Sequence, residues 1–223
     1  MKAKDLWIPF SYENRRPVII QRLLFIPSHY EEHLKFAMPN LSTIFQNENA
    51  CHVEFCSGNG QWIIDKAKNE PDKNWIAVEK RFDRARKIWV KMHNENLSNL
   101  FVVLGSAQDF AKYYLRDNLV DGVFVNFPDP WPKKKHAKNR LFQSEFIRDL
   151  AAILKPQRTA FIVTDDETYK GQVIDHFLEN IHFRPEFPKP YFINNFEAYG
   201  QSFFNDLWVN KGRNIYYMSF IRE

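Results

Sequence analysis

Cysteine is nearly absent: the 223 residues hold two, Cys51 and Cys56. They stand five positions apart in what reads as a strand, so their side chains leave opposite faces, and neither a disulfide nor a shared metal site is natural there. With no third cysteine available, a disulfide framework is excluded and a reducing, cytoplasmic setting is expected. Long apolar runs are missing too; none approaches the roughly 20 residues that span a bilayer. Met1 to Phe10 carries Lys2, Lys4, Asp5 and Pro9, and so lacks an unbroken apolar segment of signal-peptide length. The chain shows no internal repeat, no low-complexity tract and no cluster with metal-ligand spacing, so neither membrane nor metal is an expected partner. Charge of one sign is scarce as well, with 31 basic against 27 acidic side chains and a net of +4. That surplus does not by itself require a polyanionic partner; the distribution of the charges matters more.

What is present is a composition able to build a core. Hydrophobic residues make up 44% of the chain and Phe alone occurs 21 times, which argues against disorder. Residues 1–50 read as an irregular N-terminal arm, punctuated by Pro9, Pro17, Pro27 and Pro39. Its Arg15, Arg16 and Arg22 either touch a partner or decorate a surface. From Cys51 to residue 223 a single α/β domain is expected. Its strands are predicted at 51–56, 74–78, 100–104, 120–126, 159–164 and 214–221. Its helices are predicted near 61–69, 81–94, 107–115, 142–154 and 167–180, with Lys155–Pro156 ending the fourth. This alternation predicts a mostly parallel sheet with helices on both faces. In such folds ligands bind beyond the carboxyl ends of the strands, so the chemistry is sought just after each one.

After the first strand the sequence runs Glu54-Phe55-Cys56-Ser57-Gly58-Asn59-Gly60 into a helix. Gly58 and Gly60 allow a tight turn and close approach of a ligand at the helix start, although two glycines also mark many ordinary strand-to-helix turns. The spacing is not that of the dinucleotide fingerprint, which disfavours a dehydrogenase. An acid before the turn would repel pyrophosphate but suits an ammonium-bearing ligand such as S-adenosylmethionine. The second strand ends on Glu79, 19 residues beyond Gly60. Its carboxylate either accepts from a ribose diol or is an acid at a helix N-terminus. After the third strand, Gly105-Ser106-Ala107 offers backbone and small side chains against which an adenine can rest.

After the fourth strand comes Asn126-Phe127-Pro128-Asp129-Pro130-Trp131-Pro132, followed by five basic side chains and His136 within positions 133–140. Three prolines stiffen the chain around Asp129. A charge run is commonly a solvated face; placed after a central strand, this one instead suits phosphate contacts that anchor RNA. Trp131 either stacks on a base or plugs the loop against the core. These residues, with Lys133, Lys135-His136 and Lys138-Asn139-Arg140, resemble the tRNA (guanine-N7)-methyltransferase family, known in bacteria as TrmB, over about residues 50–220.

The resemblance implies a Rossmann-like class I fold and an S-adenosylmethionine-dependent enzyme that methylates N7 of guanosine 46 in the tRNA variable loop. It assigns cofactor contact to Glu54, Glu79, the Ser106 position and Asp129, and makes Asp129 the catalytic residue. Lys133 and Asp165 fall at substrate-contacting positions; the lesser alternative for Asp165 is to cap the next helix. Ser202-Phe203-Phe204-Asn205 matches a Thr-x-aromatic-Glu element, and Gly212 and Ile215-Tyr216 recur behind it. The sequence departs from the family in three places. Cys56 replaces a glycine, so a non-glycine conformation is expected there. Ser106 replaces an acid, and Asn205, beside Asp206, replaces a glutamate that reads the substrate. These departures motivate one alternative, a degenerate RNA-binding module without catalysis. A second alternative is an amino-methyltransferase acting on an exocyclic base amine; it lacks support because only one proline separates Asp129 from Trp131. The choice of tRNAs and of monomer or homodimer is not encoded legibly.

Overall fold

The computed structural model describes residues 1–8, 15–200 and 202–223, so Pro9 of the arm lies outside the described residues. The chain divides into two compact units, Met1–Leu115 and Arg116–Glu223. No helix among the described residues is long and apolar enough to cross a membrane.

The first unit is built on β1 (Val18–Ile20), β2 (Leu23–Phe25), β3 (Cys51–Phe55), β4 (Asn74–Glu79) and β5 (Leu100–Leu104). Its helices are α1 (Leu41–Phe45), α2 (Gln61–Asn69), α3 (Phe82–Asn94) and α4 (Ala107–Asp109). The strands lie in the order β1-β2-β5-β4-β3; all neighbours are parallel except the β1–β2 hairpin. Every residue of β4 and β5 is buried, as expected for a parallel strand covered on both faces. Helix α3 buries Ala85, Ile88, Trp89 and Met92, an i, i+3, i+4, i+7 stripe that docks it on the sheet. The helix expected over 107–115 is α4 followed by a π-helical turn at Phe110–Tyr114.

The arm departs from expectation, since residues 18–25 are not irregular. They form a hairpin whose second strand pairs in parallel with β5, Leu23 opposite Val102. Its turn places Gln21 at φ 46° and Arg22 at φ 67°, left-handed values usually reserved for Gly or Asn. Tertiary contacts hold it there. The Arg22 guanidinium donates to the carbonyls of Leu97 (3.2 Å), Ser98 (2.5 Å) and Leu100 (2.6 Å). The Trp89 indole donates to the Gln21 carbonyl at 3.0 Å. Arg22 thus takes neither of the roles expected of it, contact with a partner or decoration of a surface; its guanidinium is used inside the fold.

The second unit contains β6 (Val120–Asn126), α5 (Ser144–Ile153), β7 (Leu154–Thr164), α6 (Glu167–Leu178), β8 (Phe183–Pro185), α7 (Phe203–Asn210) and β9 (Tyr216–Arg222). The strand order is β6-β7-β9-β8; β6 and β7 are parallel, and β9 runs antiparallel to both its neighbours. Helix α5 stops at Ile153, and Pro156 lies inside β7 rather than ending the helix. The register explains how a proline is tolerated. Val120 pairs with Leu154 while Gly122 pairs with Thr159, so residues 155–158 bulge out where a missing N–H costs no ladder bond. Lys155 anchors the bulge on Asp121 at 2.8–2.9 Å.

The Arg22 contacts carry a consequence for stability. Arg22→Ala is expected to cost about 2 kcal/mol, since it leaves several carbonyls without their charged donor, lowering Tm by roughly 4–8 °C. Arg22→Lys should recover little, because an ammonium cannot reproduce the fork. Thermal denaturation of the two variants checks this.

Candidate active site

In the first unit the ends of β3, β4 and β5 lie side by side and are tied to one another. The Ser57 N–H donates to the Val78 carbonyl and the Gly105 N–H to the Glu79 carbonyl, both at 3.1 Å. Glu54, only 1% exposed, stands near the end of β3. Glu79 ends β4, buried, and its carboxylate accepts from the Gly58 N–H at 2.9 Å and the Arg81 N–H at 2.8 Å, one on each oxygen. The second of these contacts is the helix-start role foreseen for an acid at this position; the first pins the glycine turn. Each carboxylate oxygen has a further lone pair, so the diol reading and the structural one are compatible.

The turn itself corrects one expectation. Cys56 was expected to impose a non-glycine conformation, yet it sits at φ 63°, followed by Gly58 at 56° and Gly60 at 74°. A left-handed cysteine costs about 1–2 kcal/mol. The bonds of Ser57, Gly58 and Gly60 to Val78, Glu79 and Ser57 hold the backbone in place regardless. Gly60 is required by packing as well as by φ, since a Cβ there would lie 2.5 Å from Cγ1 of Ile88. Ser106 accepts from the Asp109 N–H at 3.0 Å and so caps α4, with Ala107 buried behind it. Two buried carboxylates beside a left-handed glycine turn form a donor set suited to a cationic nucleoside, with acceptors for an ammonium group and for a ribose diol.

In the second unit the Pro-Asp-Pro-Trp loop follows β6. The Phe127 N–H donates to the Val163 carbonyl at 2.9 Å, and Pro128 is buried while Asp129 is exposed. The Asp129 carboxylate accepts from the Trp131 N–H at 3.3 Å. Phe127 and Trp131 both adopt positive φ, 48° and 42°. With three prolines and two left-handed residues, the loop has few backbone bonds of its own. Arg140 supplies the brace, a role that sequence reasoning missed. Its guanidinium donates to the Pro130 carbonyl at 2.8 Å, to Gln172 Oε1 at 2.5 Å and to the Trp131 carbonyl at 3.5 Å. It also lies 5.3 Å from the Tyr169 ring centroid. Only 5% exposed, Arg140 leaves the group of basic side chains read as phosphate ligands. Lys133, Lys135 and Lys138 are exposed. The segment re-enters the core at Leu141 and Phe142, so the lysines project from a chain tethered at both ends. Trp131 is half-buried, its ring 5.6 Å from that of His136.

The other residues named from the sequence gather at the same carboxyl edge of β6 and β7. Asp165 follows β7 and pairs with Arg213. It does not cap α6; Asp166 does, accepting from the Tyr169 N–H at 2.7 Å. Ser202, buried, caps α7 by accepting from the Asn205 N–H at 3.3 Å. The Asn205 carbonyl oxygen accepts from the Tyr217 hydroxyl at 2.7 Å. Burial first, and then the Asp206 carboxylate, push the Tyr217 phenol above its ordinary pKa, so the hydroxyl stays protonated and donates. That bond takes one of the two lone pairs of the Asn205 amide oxygen and leaves its NH2 donors uncommitted by it. Rings of Phe204 and Phe127 lie 6.1 Å apart, linking α7 to the start of the Asp129 loop.

Comparison with known proteins gives this arrangement its context. A family model described as "Putative methyltransferase" matches residues 48–218. The tRNA (guanine-N(7)-)-methyltransferase of Chlamydia caviae is 44% identical over 223 residues, covering 100% of this chain and 99% of the relative. Among solved structures, an antibiotic-related methyltransferase superposes with a TM-score of 0.60 at 18% identity, covering 82% of this chain and 92% of the other. A SAM-dependent methyltransferase from Aquifex aeolicus does so with a TM-score of 0.56 at 15% identity, covering 82% and 87%. The structural likenesses carry the fold, an α/β Rossmann-like fold with a mostly parallel sheet. Identity at that level over its whole length makes this chain a member of the tRNA (guanine-N(7)-)-methyltransferase family.

Proposed function

We propose that this protein transfers the methyl group of S-adenosylmethionine to N7 of a guanosine in tRNA, at position 46 of the variable loop. The observation that carries the reading is the exposed Asp129 carboxylate on a proline-stiffened loop with lysines behind it, in a chain 44% identical throughout to a relative of that name. The donor, when bound, supplies an electrophilic methyl carbon on a sulfonium. Glu54, Glu79 and the Gly58–Gly60 turn hold its cationic and ribose groups, and Ser106 and Ala107 flank its adenine.

Guanine N7 carries a lone pair in neutral RNA, so no base is needed to remove a proton. The N–CH3 bond forms as the S–CH3 bond breaks, and that electron pair returns to sulfur. The positive charge thereby passes to the purine. Asp129 orients the guanine and the donor's amine and offsets the charge arriving on the ring, a contribution of position and field. Lys133 contacts phosphate. Asp165, Ser202 and Asn205 complete the substrate side, with the Asn205 NH2 donating to an acceptor on the base or ribose.

Unmodified tRNA incubated with labelled donor and cleaved by aniline should break at position 46, and a transcript with adenosine there should take up no label. Methylation elsewhere, or on an exocyclic amine, would contradict the reading. Asp129→Ala is expected to lower kcat by about 100-fold or more, measured in single turnover at saturating tRNA. Lys133→Ala should instead weaken tRNA binding and make its log–log salt dependence shallower by about 1, as read by filter binding.

A further inference from the structure

Helix α3 and its leading turn carry a concentration of charge that nothing in the mechanism uses. Positions 80–91 hold six basic residues, Lys80, Arg81, Arg84, Arg86, Lys87 and Lys91, against the single acid Asp83. The helix begins at Phe82, three residues after Glu79, the carboxylate proposed to hold the donor's ribose. On a helix of 3.6 residues per turn, Arg84, Lys87 and Lys91 fall within roughly 60° of one another, clear of the buried stripe of Ala85, Ile88, Trp89 and Met92. Lys80 and Lys87 are exposed, and Arg84 and Lys91 are half-exposed.

A charge stripe on a helix is ordinarily a solvated face laced with opposite charges, and the same unit shows what that looks like. Lys66 and Lys73 pair with Glu70 at 3.1 and 2.8 Å, and Lys68 pairs with Glu95 at 2.9 Å. On α3 the one acid is taken by Arg81 at 3.1 Å, though Arg84 lies within its field. Lys80, Arg84, Lys87 and Lys91 form no ion pair among the described residues; the recorded bond of Lys91 is to the Asn59 carbonyl at 3.5 Å, in the glycine turn. Four like charges left uncompensated repel one another unless an anion is brought to them. The succession of Arg84, Lys87 and Lys91 along one helix face matches a polyanion with evenly spaced charges better than it matches a single small anion.

We infer that the stripe Arg84–Lys87–Lys91 on α3, with Lys80 in the turn that leads into it, is a second contact surface for the phosphodiester backbone of the substrate tRNA, borne by the first unit, in addition to the lysines at 133–138. This rests on the proposed tRNA reading and extends it to a face that the sequence motifs do not mark. Contacts of this kind set affinity and orientation, not base choice, so they act on binding and leave the chemical step alone.

The test compares two charge-matched double variants of the protein. One is Arg84→Gln/Lys87→Gln, which keeps apolar stems on the helix and leaves Lys91 on the glycine turn. The other is Lys68→Gln/Lys73→Gln, which removes the same charge from lysines paired with Glu95 and Glu70. Thermal denaturation confirms that both fold, and binding of an unmodified tRNA transcript is followed across a salt series. The α3 variant is expected to bind about tenfold or more weaker, with a log–log salt slope shallower by about 2, while kcat at saturating tRNA is unchanged. The control should stay within about twofold of wild type in affinity. Equal affinity and slope for the α3 variant and wild type, or equal weakening in both variants, would overturn the inference. Wild-type protein that bound the transcript with the predicted dependence on α3 yet left it unmethylated would refute the activity reading and not the contact surface.

Discussion

A loop with three prolines in five residues cannot hold itself together by backbone hydrogen bonding, because each proline removes a donor. Everything proposed for the catalytic half depends on how that deficit is met. The buried Arg140 guanidinium gathers the Pro130 and Trp131 carbonyls, sits by the Tyr169 ring and is fixed from behind by Gln172. Tyr169 is itself oriented by its place in α6, whose first turn is capped by Asp166. The chain of dependence thus runs from a helix cap, through an aromatic ring and a guanidinium, to the loop of the carboxylate proposed to meet the substrate. Only a planar fork with several fixed donors can serve two carbonyls and a side-chain amide together.

Much of this was legible in the sequence, and the exceptions have physical causes. Strands 100–104 and 120–126 and helix 61–69 coincide with β5, β6 and α2 because buried parallel strands and amphipathic helices write strong patterns. The β1–β2 hairpin was missed because its strands are three residues long and its turn has neither Gly nor Asn; it is Arg22, 75 to 78 residues from its partners, that enforces the left-handed conformation. The same holds for Cys56, where bonds to neighbouring strands override local preference. The placement of the candidate residues at strand ends was readable from the sequence, and the structure has Glu79 ending β4 and Asp129 and Asp165 following β6 and β7. What each side chain does was less so, since Arg140 reads as one more cation in a basic run until its burial is known.

The same lesson, reversed, applies to charge. The basic run after β6 is conspicuous in sequence, yet it loses a member to the interior. The cations of α3 are spread through an amphipathic pattern and pass unnoticed, and they become distinct only once the neighbouring lysines prove to be paired with acids and these do not. Formal net charge of +4 is therefore a poor guide to where this surface carries uncompensated positive charge; local compensation decides it. Within the first unit, the residues proposed to hold the donor stand at strand ends fastened to each other by main-chain bonds, a rigid seat that asks little of side-chain entropy.

The measurement that bears most directly on the central constraint is the kinetic and binding profile of Arg140→Lys. If Arg140 acts by bracing the Asp129 loop, kcat should fall by about 100-fold through misplacement of the carboxylate, while tRNA affinity and its salt dependence stay within about twofold of wild type. Weakened tRNA binding with a salt slope shallower by about 1 and an intact kcat would instead make Arg140 a phosphate ligand, and the account of the loop given above would be wrong.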